Sequence, residues 1–453
     1  MLDWNQLISS QRVGRDGNLH DSLPQRDRTA FQVDYDRVIF SEPFRHLARK
    51  TQVHPLVPND RIRNRLTHSL EVAGVGRSFG TRLFRHLQGK LDSLTATEDD
   101  FRSILQTACL THDIGNPPFG HAGEFAIRLW VDENPDSVFG ESGEFIISEG
   151  VKNDWRNFEG NAQGFRLACR ADNPRFGYMK LTTSTLGAMV KYPWDSSSQR
   201  VLEEIPRKRK FNCFASEKSH FDTVFESLGL KNGESYFRHP LSFLSEAADD
   251  LCYRIADLED AVKMNILEEG KVREILSEVC GGSKPGIHLS KLRANAVGCF
   301  IDAFWEVFVA QYDPIMRGQR EVDLKTDLNS TYTSTLKRVD ECYEEIFAHR
   351  FKVATELGAF NCLGNIISVI CKAAQQLCKI DFSATDNVKK QLSIYKDQLD
   401  FRSKRCFELS FGEKYVKENL NQTYQWWLHQ ILDFVSGMTD NFAQQFASEI
   451  QGF

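Results

Sequence analysis

The sequence predicts an all-α protein, and three observations support that fold class. Apolar residues recur at three- and four-residue spacing, which is the pattern of an amphipathic helix. Only 13 prolines interrupt the 453 residues, so few helices are broken by one. Short polar or glycine-bearing connections, such as Gly281-Gly282, separate the periodic stretches. These stretches are residues 101–109, 245–267, 290–312, 363–380 and 422–449.

Composition and periodicity divide the chain into three segments. Residues 1–40 are dense in Arg, Asp and Asn with few apolar repeats, which predicts an N-terminal arm. Residues 41–270 are predicted to form a core with insertions, and residues 271–453 a C-terminal helical region packed on that core. One Thr-rich stretch, residues 179–190, permits either a strand or a helix that begins near Thr185.

Composition and charge exclude several classes of protein. The chain has 41% apolar and 26% charged residues, a content that differs from disordered and collagen-like chains. Its eleven cysteines include no CxxC pair, which argues against a disulfide framework and favours a reducing compartment. A net charge of -6 gives no overall positive field for wrapping nucleic acid. Without a signal peptide or a stretch of about 18 apolar residues, we expect a cytoplasmic protein with no membrane partner.

The strongest local signal is THDIGNPPFGHAGE, residues 111–124, which follows an apolar helix ending near Leu110. Its adjacent His112 and Asp113 combine an imidazole with a carboxylate, and this donor set suits a divalent ion. On its own the pair also has a structural interpretation, because a buried histidine bonded to an aspartate is frequent in proteins.

A second segment, RNRLTHSLEV at residues 63–72, carries another histidine. His68 begins an amphipathic helix, and Arg65 precedes it by about one helical turn. The spacing therefore places a candidate metal ligand beside a cation that could bind phosphate.

A third segment, EAADDLCYRIADLEDAV at residues 246–262, is predicted to be helical. Asp249, Tyr253 and Asp257 are spaced at i, i+4 and i+8, so they share one helix face. Such a row of polar groups either forms a bonded seam or lines a cavity. Taken alone, the row is also compatible with a solvated helix face.

The order His68, His112-Asp113, Asp249 resembles the H...HD...D signature of the HD-domain metal-dependent phosphohydrolases. Within that group, the three segments are similar to those of the deoxyguanosine triphosphate triphosphohydrolase (dGTPase) family. The similarity covers about residues 26–262 and leaves the C-terminal region without a motif of comparable specificity. It includes three further segments, FRHLARKTQV at 44–53, NFEGNAQGFR at 157–166 and LGAMVKYPW at 186–194.

This resemblance implies an HD-domain helical fold with additional helices and long loops, in which residues 41–270 are the catalytic core. It implies that water attacks the α-phosphorus of a deoxynucleoside triphosphate (dNTP), with dGTP preferred by family name. The products would be a deoxynucleoside and inorganic tripolyphosphate. One divalent metal, Mg²⁺ or Mn²⁺, would be held by two imidazoles and two carboxylates. The implied ligands are His68, His112, Asp113 and Asp249.

The resemblance also implies a catalytic pair. His121 and Glu124 lie within one helical turn of each other, as an acid/base pair requires. His121 is assigned to proton transfer at the leaving 5′ oxygen. Glu124 is assigned to orienting the His121 ring and to stabilising its positive charge. For these two residues the alternatives are a packing or capping histidine and a surface acid.

Seven residues are implied in substrate binding. Gln52 matches a position that reads the 3′ hydroxyl, and Tyr253 and Asp257 match positions that approach the sugar. There, a tyrosine ring packed under the 2′ carbon would reject a ribose hydroxyl. A charged triphosphate also needs cations and amide donors beside it. The remaining candidates are Arg65, Asn116 and Lys191 for the phosphates, and Tyr192 in the matching VKYPW segment.

Two other functions remain open on the sequence alone. One is another HD-domain nucleotide phosphohydrolase, such as a deoxynucleoside monophosphatase. The other is a nucleotide-sensing or nucleic-acid-binding module without turnover, for which the basic run at residues 207–210 is weak support, since such runs are usually solvated surface. By analogy with related enzymes we expect a homo-oligomer, hexameric in that analogy, and a single-stranded DNA or nucleotide effector.

Overall fold

The computed structural model describes residues 1–23, 26–52, 62–90, 93–170, 179–205, 208–282, 286–348, 350–382 and 387–452. Within these ranges the chain forms 23 α-helices and two small β-pairs, so the predicted all-α class is confirmed. The helices up to the middle of the chain are α1 (Trp4–Leu7), α2 (Ala30–Ile39), α3 (Glu42–His46), α4 (Arg65–Leu87), α5 (Glu98–Thr111), α6 (His121–Glu133), α7 (Pro135–Phe139), α8 (Glu149–Arg156), α9 (Gly160–Cys169), α10 (Thr183–Met189), α11 (Gln199–Leu202), α12 (Lys218–Ser227) and α13 (Pro240–Lys263). The later helices are α14 (Glu269–Val279), α15 (Leu289–Ala310), α16 (Tyr312–Met316), α17 (Ser330–Ala348), α18 (Arg350–Cys378), α19 (Val388–Gln398), α20 (Phe401–Phe411), α21 (Glu413–Glu418), α22 (Tyr424–Gly437) and α23 (Asp440–Gln451).

The β-structure consists of two antiparallel pairs of two-residue strands. In the first pair, β1 (Arg12–Val13) lies beside β2 (Leu19–His20). In the second, β3 (Lys231–Asn232) lies beside β4 (Ser235–Tyr236). Short 3₁₀ turns lie at Leu47–Arg49, Ala215–Glu217 and Leu324–Asp327.

The Thr-rich stretch that permitted a strand or a helix forms helix α10. Two of its three threonine hydroxyls, those of Thr182 and Thr185, bond to one buried carboxylate. Asp34 Oδ2 accepts hydrogen bonds from the N–H and hydroxyl of Thr182 and from the hydroxyl of Thr185. The Thr182 side chain also accepts the N–H of Thr185, which is the geometry of an N-cap.

Helices α4 and α5 pack closely because glycines of α4 face the backbone of α5. A Cβ placed on Gly80 would lie 2.7 Å from the carbonyl oxygen of Phe101, and one on Gly76 would lie 2.5 Å from Cys109 Sγ. Each helix begins with a capping box, at Asn64 for α4 and at Thr97 for α5. This close packing fixes the start of α4 relative to the end of α5, and these two ends carry the candidate metal ligands.

The buried apolar side chains form two clusters. The first includes residues of α4, α5, α10, α13 and α15, and the second includes residues of α6, α18, α20, α22 and α23. The chain passes from the first cluster to the second in the turn between α5 and α6. The residues of the HD motif are in that turn, so both clusters position the site.

The first forty residues contribute side chains to the first cluster. Trp4, Leu7 and Val38 are buried there, and Trp4 Nε1 donates to Tyr312 Oη at 2.7 Å. The division of the chain at residues 40 and 270 stays a prediction.

Helix α18 contains one stretch, Val353–Cys378, that is long and apolar enough to cross a membrane by length and composition. Half of its most apolar window is buried inside the protein, and Ile366, Ile367 and Ile370 pack in the second cluster. A buried core helix of this kind passes the same test of length and hydropathy.

Candidate active site

Four predicted ligands converge at the ends of α4 and α5 and on α13. Nitrogen and oxygen atoms of His68, His112 and Asp113 lie within 4.8 Å of one another. Asp249 completes the group, because its Oδ1 is 3.2 Å from His68 Nε2 and 3.3 Å from His112 Nε2. The consecutive helices α4 and α5 and the much later helix α13 therefore bring two imidazoles and two carboxylates to one point.

The donor set fits a divalent cation. The Nδ1 atom of His112 lies 2.6 Å from the carbonyl oxygen of Cys109, which assigns the ring proton to Nδ1 and leaves the Nε2 lone pair facing the carboxylates. That Nε2 atom is buried and has no hydrogen-bond partner among the described residues. A buried acceptor without a partner is costly, and a cation between the two histidines and the two carboxylates would satisfy it.

Asp113 is held on both oxygens by residues predicted to bind phosphate. Arg65 Nη1 donates to Asp113 Oδ2 at 2.7 Å, and Asn116 Nδ2 donates to Asp113 Oδ1. Burial alone would raise the pKa of Asp113, but the charges of Arg65, His112 and His68 outweigh it and lower that pKa below its usual range. Asp113 is therefore ionised at neutral pH, as a metal ligand must be.

The Arg65 guanidinium fits against a glycine. Gly120 has φ +58°, and a Cβ built on it would lie 2.3 Å from Arg65 Nη2. The position therefore requires glycine both for its left-handed backbone and for the close approach of Arg65.

Replacing that glycine should lower turnover. In Gly120→Ala the new methyl group must displace Arg65 or the turn that precedes His121, and we expect turnover to fall about 10- to 100-fold. Gly89→Ala is the matched control, because Gly89 also has a positive φ, +77°, but none of the described residues lies within 4 Å of a built Cβ. Both variants lose some thermal stability. Equal turnover in the two variants would contradict the role of the close approach.

The predicted catalytic pair lies at the start of α6. His121 Nδ1 is 3.0 Å from Glu124 Oε2, and Glu124 Oε1 accepts the N–H of Gly160 at 2.8 Å. The histidine side chain is 71% exposed, whereas that of Glu124 is 5% exposed. A buried carboxylate thus fixes a histidine that faces the cavity.

Lys210 belongs to the basic run at residues 207–210, for which the sequence favours a solvated surface. Its Nζ lies 3.7 Å from Glu124 Oε2 and donates to Glu159 Oε1. Burial alone would raise the pKa of Glu124, but the charges of Lys210 and His121 lower it well below its usual value. Of the remaining run, Arg209 donates to Asn157 Oδ1 at 2.5 Å, and Arg207 lies outside the described residues.

Lys191 binds the fourth candidate ligand. Its Nζ donates to Asp249 Oδ2 at 2.6 Å. Burial alone would lower the pKa of Lys191, but the charges of Asp249 and Glu246 raise it above its usual value. Asn212 Oδ1 accepts the backbone N–H groups of Lys191 and Tyr192 at 3.1 and 2.8 Å, and so fixes the turn after α10.

A cavity of about 1280 Å³ opens beside these groups. This volume is larger than the roughly 300–1,000 Å³ of ordinary ligand pockets, so the cavity has room for a small-molecule ligand. Eleven of the thirteen predicted metal, catalytic and substrate residues line it in addition to Lys210: Gln52, Arg65, His112, Asp113, Asn116, His121, Glu124, Lys191, Tyr192, Asp249 and Tyr253. The other two, His68 and Asp257, are not among the described residues of the wall, and the His68 ring packs edge-on against that of His112.

Asp257 is bonded within the protein. Its Oδ2 accepts the hydroxyl of Tyr343 at 2.8 Å, and the Tyr343 ring stacks on Tyr253 with centroids 5.2 Å apart. Tyr343 was not identified from the sequence, because it lies on α17, outside every motif. The sugar contact assigned to Asp257 by resemblance stays a prediction.

The buried Asp257 carboxyl should make stability depend on pH. Burial raises its pKa to about 8, despite the Tyr343 bond and the charges of Arg63 and Arg65, with Asp260 adding to the rise. Between about pH 4 and pH 8 the unfolded carboxyl is ionised and the folded one is protonated, so this group lowers stability as the pH rises.

Asp257→Asn should remove this pH dependence. We expect the melting temperature of the variant, relative to that of the original protein, to increase steadily from pH 5 to pH 8. Thermal melts at four pH values in that interval check it. A difference that stays constant across the interval would contradict the shifted ionisation.

Comparisons with known proteins agree with the site. The HD domain family matches residues 65–151. A deoxyguanosinetriphosphate triphosphohydrolase-like protein of Pseudomonas aeruginosa is 36% identical over 472 aligned positions, covering 100% of this chain and 99% of the relative. A protein of the same description from Synechocystis is 38% identical and covers 81% of this chain and 85% of the relative. The deoxyguanosinetriphosphate triphosphohydrolase of Serratia proteamaculans is 35% identical over 59% of this chain and 56% of its own length.

Proposed function

The chain belongs to the deoxyguanosinetriphosphate triphosphohydrolase-like family of HD-domain hydrolases, and we propose on this premise that it hydrolyses dNTPs, dGTP among them. The products are deoxynucleoside and inorganic tripolyphosphate. One observation carries the proposal: three residues of the candidate metal cluster, His112, Asp113 and Asp249, line the same cavity as the His121–Glu124 pair.

We propose Mg²⁺ or Mn²⁺ for the cluster, held by His68, His112, Asp113 and Asp249. The mixed imidazole and carboxylate donors suit either ion. When bound, the ion supplies Lewis-acid stabilisation of negative charge on the phosphate. Lys191, Lys210 and Arg65 lie in the cavity wall around it, and their charges attract the rest of the triphosphate.

His121 is assigned to the proton transfer. Glu124 accepts the Nδ1–H of the ring, which leaves Nε2 as the nitrogen that carries the transferable proton. Water adds to the α-phosphorus and leaves its hydroxyl there, the bond from phosphorus to the 5′ oxygen breaks, and this oxygen takes the proton from His121. The second proton of the water goes to solvent, from which His121 is protonated again. The ionised Glu124 stabilises the charged imidazolium before that transfer.

Gln52 and Tyr253 are assigned to the deoxyribose. The Oε1 atom of Gln52 is buried and has no hydrogen-bond partner among the described residues, so it can accept a hydrogen bond from the 3′ hydroxyl. A site that hydrogen-bonds a substrate hydroxyl discriminates strongly against substrates that lack it. The Tyr253 ring, backed by Tyr343, forms a rigid wall against a 2′ hydroxyl.

Product analysis tests the proposed reaction. Metal-stripped protein is incubated with each of the four dNTPs, a deoxynucleoside monophosphate and GTP, with added Mg²⁺ or Mn²⁺, and the products are separated by chromatography. Metal-dependent release of tripolyphosphate supports the proposal. Orthophosphate from the monophosphate would instead indicate a monophosphatase, and dNTP binding without turnover would indicate a sensor.

The remaining assignments rest on analogy with related enzymes. We propose a cytoplasmic homo-oligomer, hexameric in that analogy, that responds to a nucleotide or single-stranded DNA effector. We also propose that residues 41–270 are the catalytic core, preceded by an arm and followed by a helical region. A mass in solution that matches only the monomer would contradict the oligomer.

A further inference from the structure

Asp440 is a buried carboxylate at the start of α23, in the region where the sequence offered no motif. It is 2% exposed. Its Oδ1 accepts the N–H of Phe119 at 2.8 Å. Its Oδ2 accepts the N–H of Thr51 at 3.0 Å and the Thr51 hydroxyl at 2.6 Å. All three donors belong to two segments that border the active-site cavity.

The first segment is the turn that ends at His121. Phe119 and Gly120 have φ of +64° and +58°, two successive left-handed residues directly before the helix that carries the catalytic pair. A phenylalanine rarely adopts this conformation, and surrounding bonds must hold it there. The bond from Phe119 to Asp440 is one such constraint, so the carboxylate helps set where α6 begins.

The second segment carries Gln52. Thr51, which directly precedes it, is bound to Asp440 through both its backbone and its side chain, and it pairs with Asn64, the N-cap of α4. Asp440 therefore fixes the backbone directly before Gln52, the residue assigned to the 3′ hydroxyl.

Lys50 adds a second link between the same segments. Its buried Nζ donates to the carbonyl oxygens of Asn116 at 2.6 Å and Ser436 at 2.7 Å. Burial lowers the pKa of Lys50 to about 7, against the opposing charge of Asp440. Lys50 and Asp440 thus link the end of α22 and the start of α23 to both borders of the cavity.

We propose that Asp440 is a positioning residue that fixes the positions of Gln52 and His121 relative to each other. Through it, the C-terminal helices take part in selecting the 3′ hydroxyl. The proposal rests on the proposed function, in which Gln52 reads that hydroxyl. Asp440 reaches the substrate only through the two segments that it binds.

Asp440→Asn tests the proposal. An asparagine keeps the shape of the side chain but turns an amide donor toward one of the two segments, and a donor cannot accept their hydrogen bonds. Thr439→Ala is the matched control, because Thr439 caps the same helix through the N–H of Phe442 and has no hydrogen bond to the described residues of either segment. Both variants are compared at equal fractions folded.

Two readouts separate positioning from general stability. The first is the ratio of kcat/KM for a dNTP to that for the matching 2′,3′-dideoxynucleoside triphosphate, which we expect to fall at least about tenfold in Asp440→Asn. The second is amide hydrogen exchange at Thr51 and Phe119, which we expect to accelerate in the same variant. Thr439→Ala should change neither.

The outcomes are distinguishable from failure of the proposed function. If the original protein does not turn over dNTPs, the proposed function fails, and hydrogen exchange still decides whether Asp440 holds the two segments. Unchanged exchange, or an unchanged substrate ratio in an active enzyme, would overturn the proposal. If Asp440→Asn does not fold, Thr51→Val replaces it, since valine removes only the hydroxyl donor and should lower the ratio by a smaller factor.

Discussion

Asp249→Asn should lose more than about 100-fold in turnover, because loss of residues that merely support a metal ligand already costs roughly 10- to 100-fold. The substitution weakens one of two carboxylates in the cluster and removes the charged partner of Lys191. Binding of Mn²⁺, measured by titration without substrate, should weaken in parallel.

Asp250→Asn is the matched control for that prediction. Asp250 is the next residue on α13, and its Oδ2 accepts from Lys325 Nζ at 2.9 Å instead of facing the histidines. We expect Mn²⁺ affinity and turnover of this variant to stay within a few-fold of the original, as for a change outside the coordination sphere. Equal losses in the two variants would contradict the assignment of Asp249 as a ligand.

The second large effect should come from the catalytic pair. His121→Gln removes the group that transfers the proton, and Glu124→Gln removes the charge that supports it, so each should lower kcat by about 10²- to 10⁴-fold. Binding of Mn²⁺ should be retained in both, since neither residue belongs to the cluster. Because the two act as a unit, the double variant should lose little more than His121→Gln alone.

Glu133→Gln serves as the control on the same helix. Glu133 is an exposed acid at the end of α6, and its replacement should leave kcat unchanged. Strictly additive losses in the double variant, or weakened Mn²⁺ binding, would contradict a catalytic pair separate from the metal.

Much of the site could be predicted because its residues lie in short motifs on helices. The spacing from Asp249 to Tyr253 predicted a shared helix face, and both residues line the cavity. The Thr-rich stretch could not be decided, since the buried Asp34 that bonds its hydroxyls lies about 150 residues earlier in the chain. The stretch is helical because of this tertiary contact, which local helix propensity cannot predict.

The site residues that could not be identified from the sequence were overlooked for one reason. Lys210, Tyr343 and Asp440 reach the site from separate elements, and pairings across long sequence distances leave no spacing pattern to detect. Asp433 on α22 makes another pairing across a long sequence distance. Its Oδ1 accepts a hydrogen bond from Arg166 Nε at 2.9 Å, and its Oδ2 accepts one from Arg166 Nη2 at 3.0 Å. The C-terminal helices therefore support the site without carrying a recognisable motif.

The most direct test of the central claim is hydrolysis of dGTP in ¹⁸O-labelled water. Attack on the α-phosphorus with proton transfer from His121 to the 5′ oxygen predicts one ¹⁸O atom in tripolyphosphate and none in deoxyguanosine, by mass spectrometry. Label in deoxyguanosine would show that the carbon–oxygen bond breaks, and orthophosphate or pyrophosphate as the primary labelled product would show attack at another phosphorus. Either result would contradict the mechanism assigned to this site.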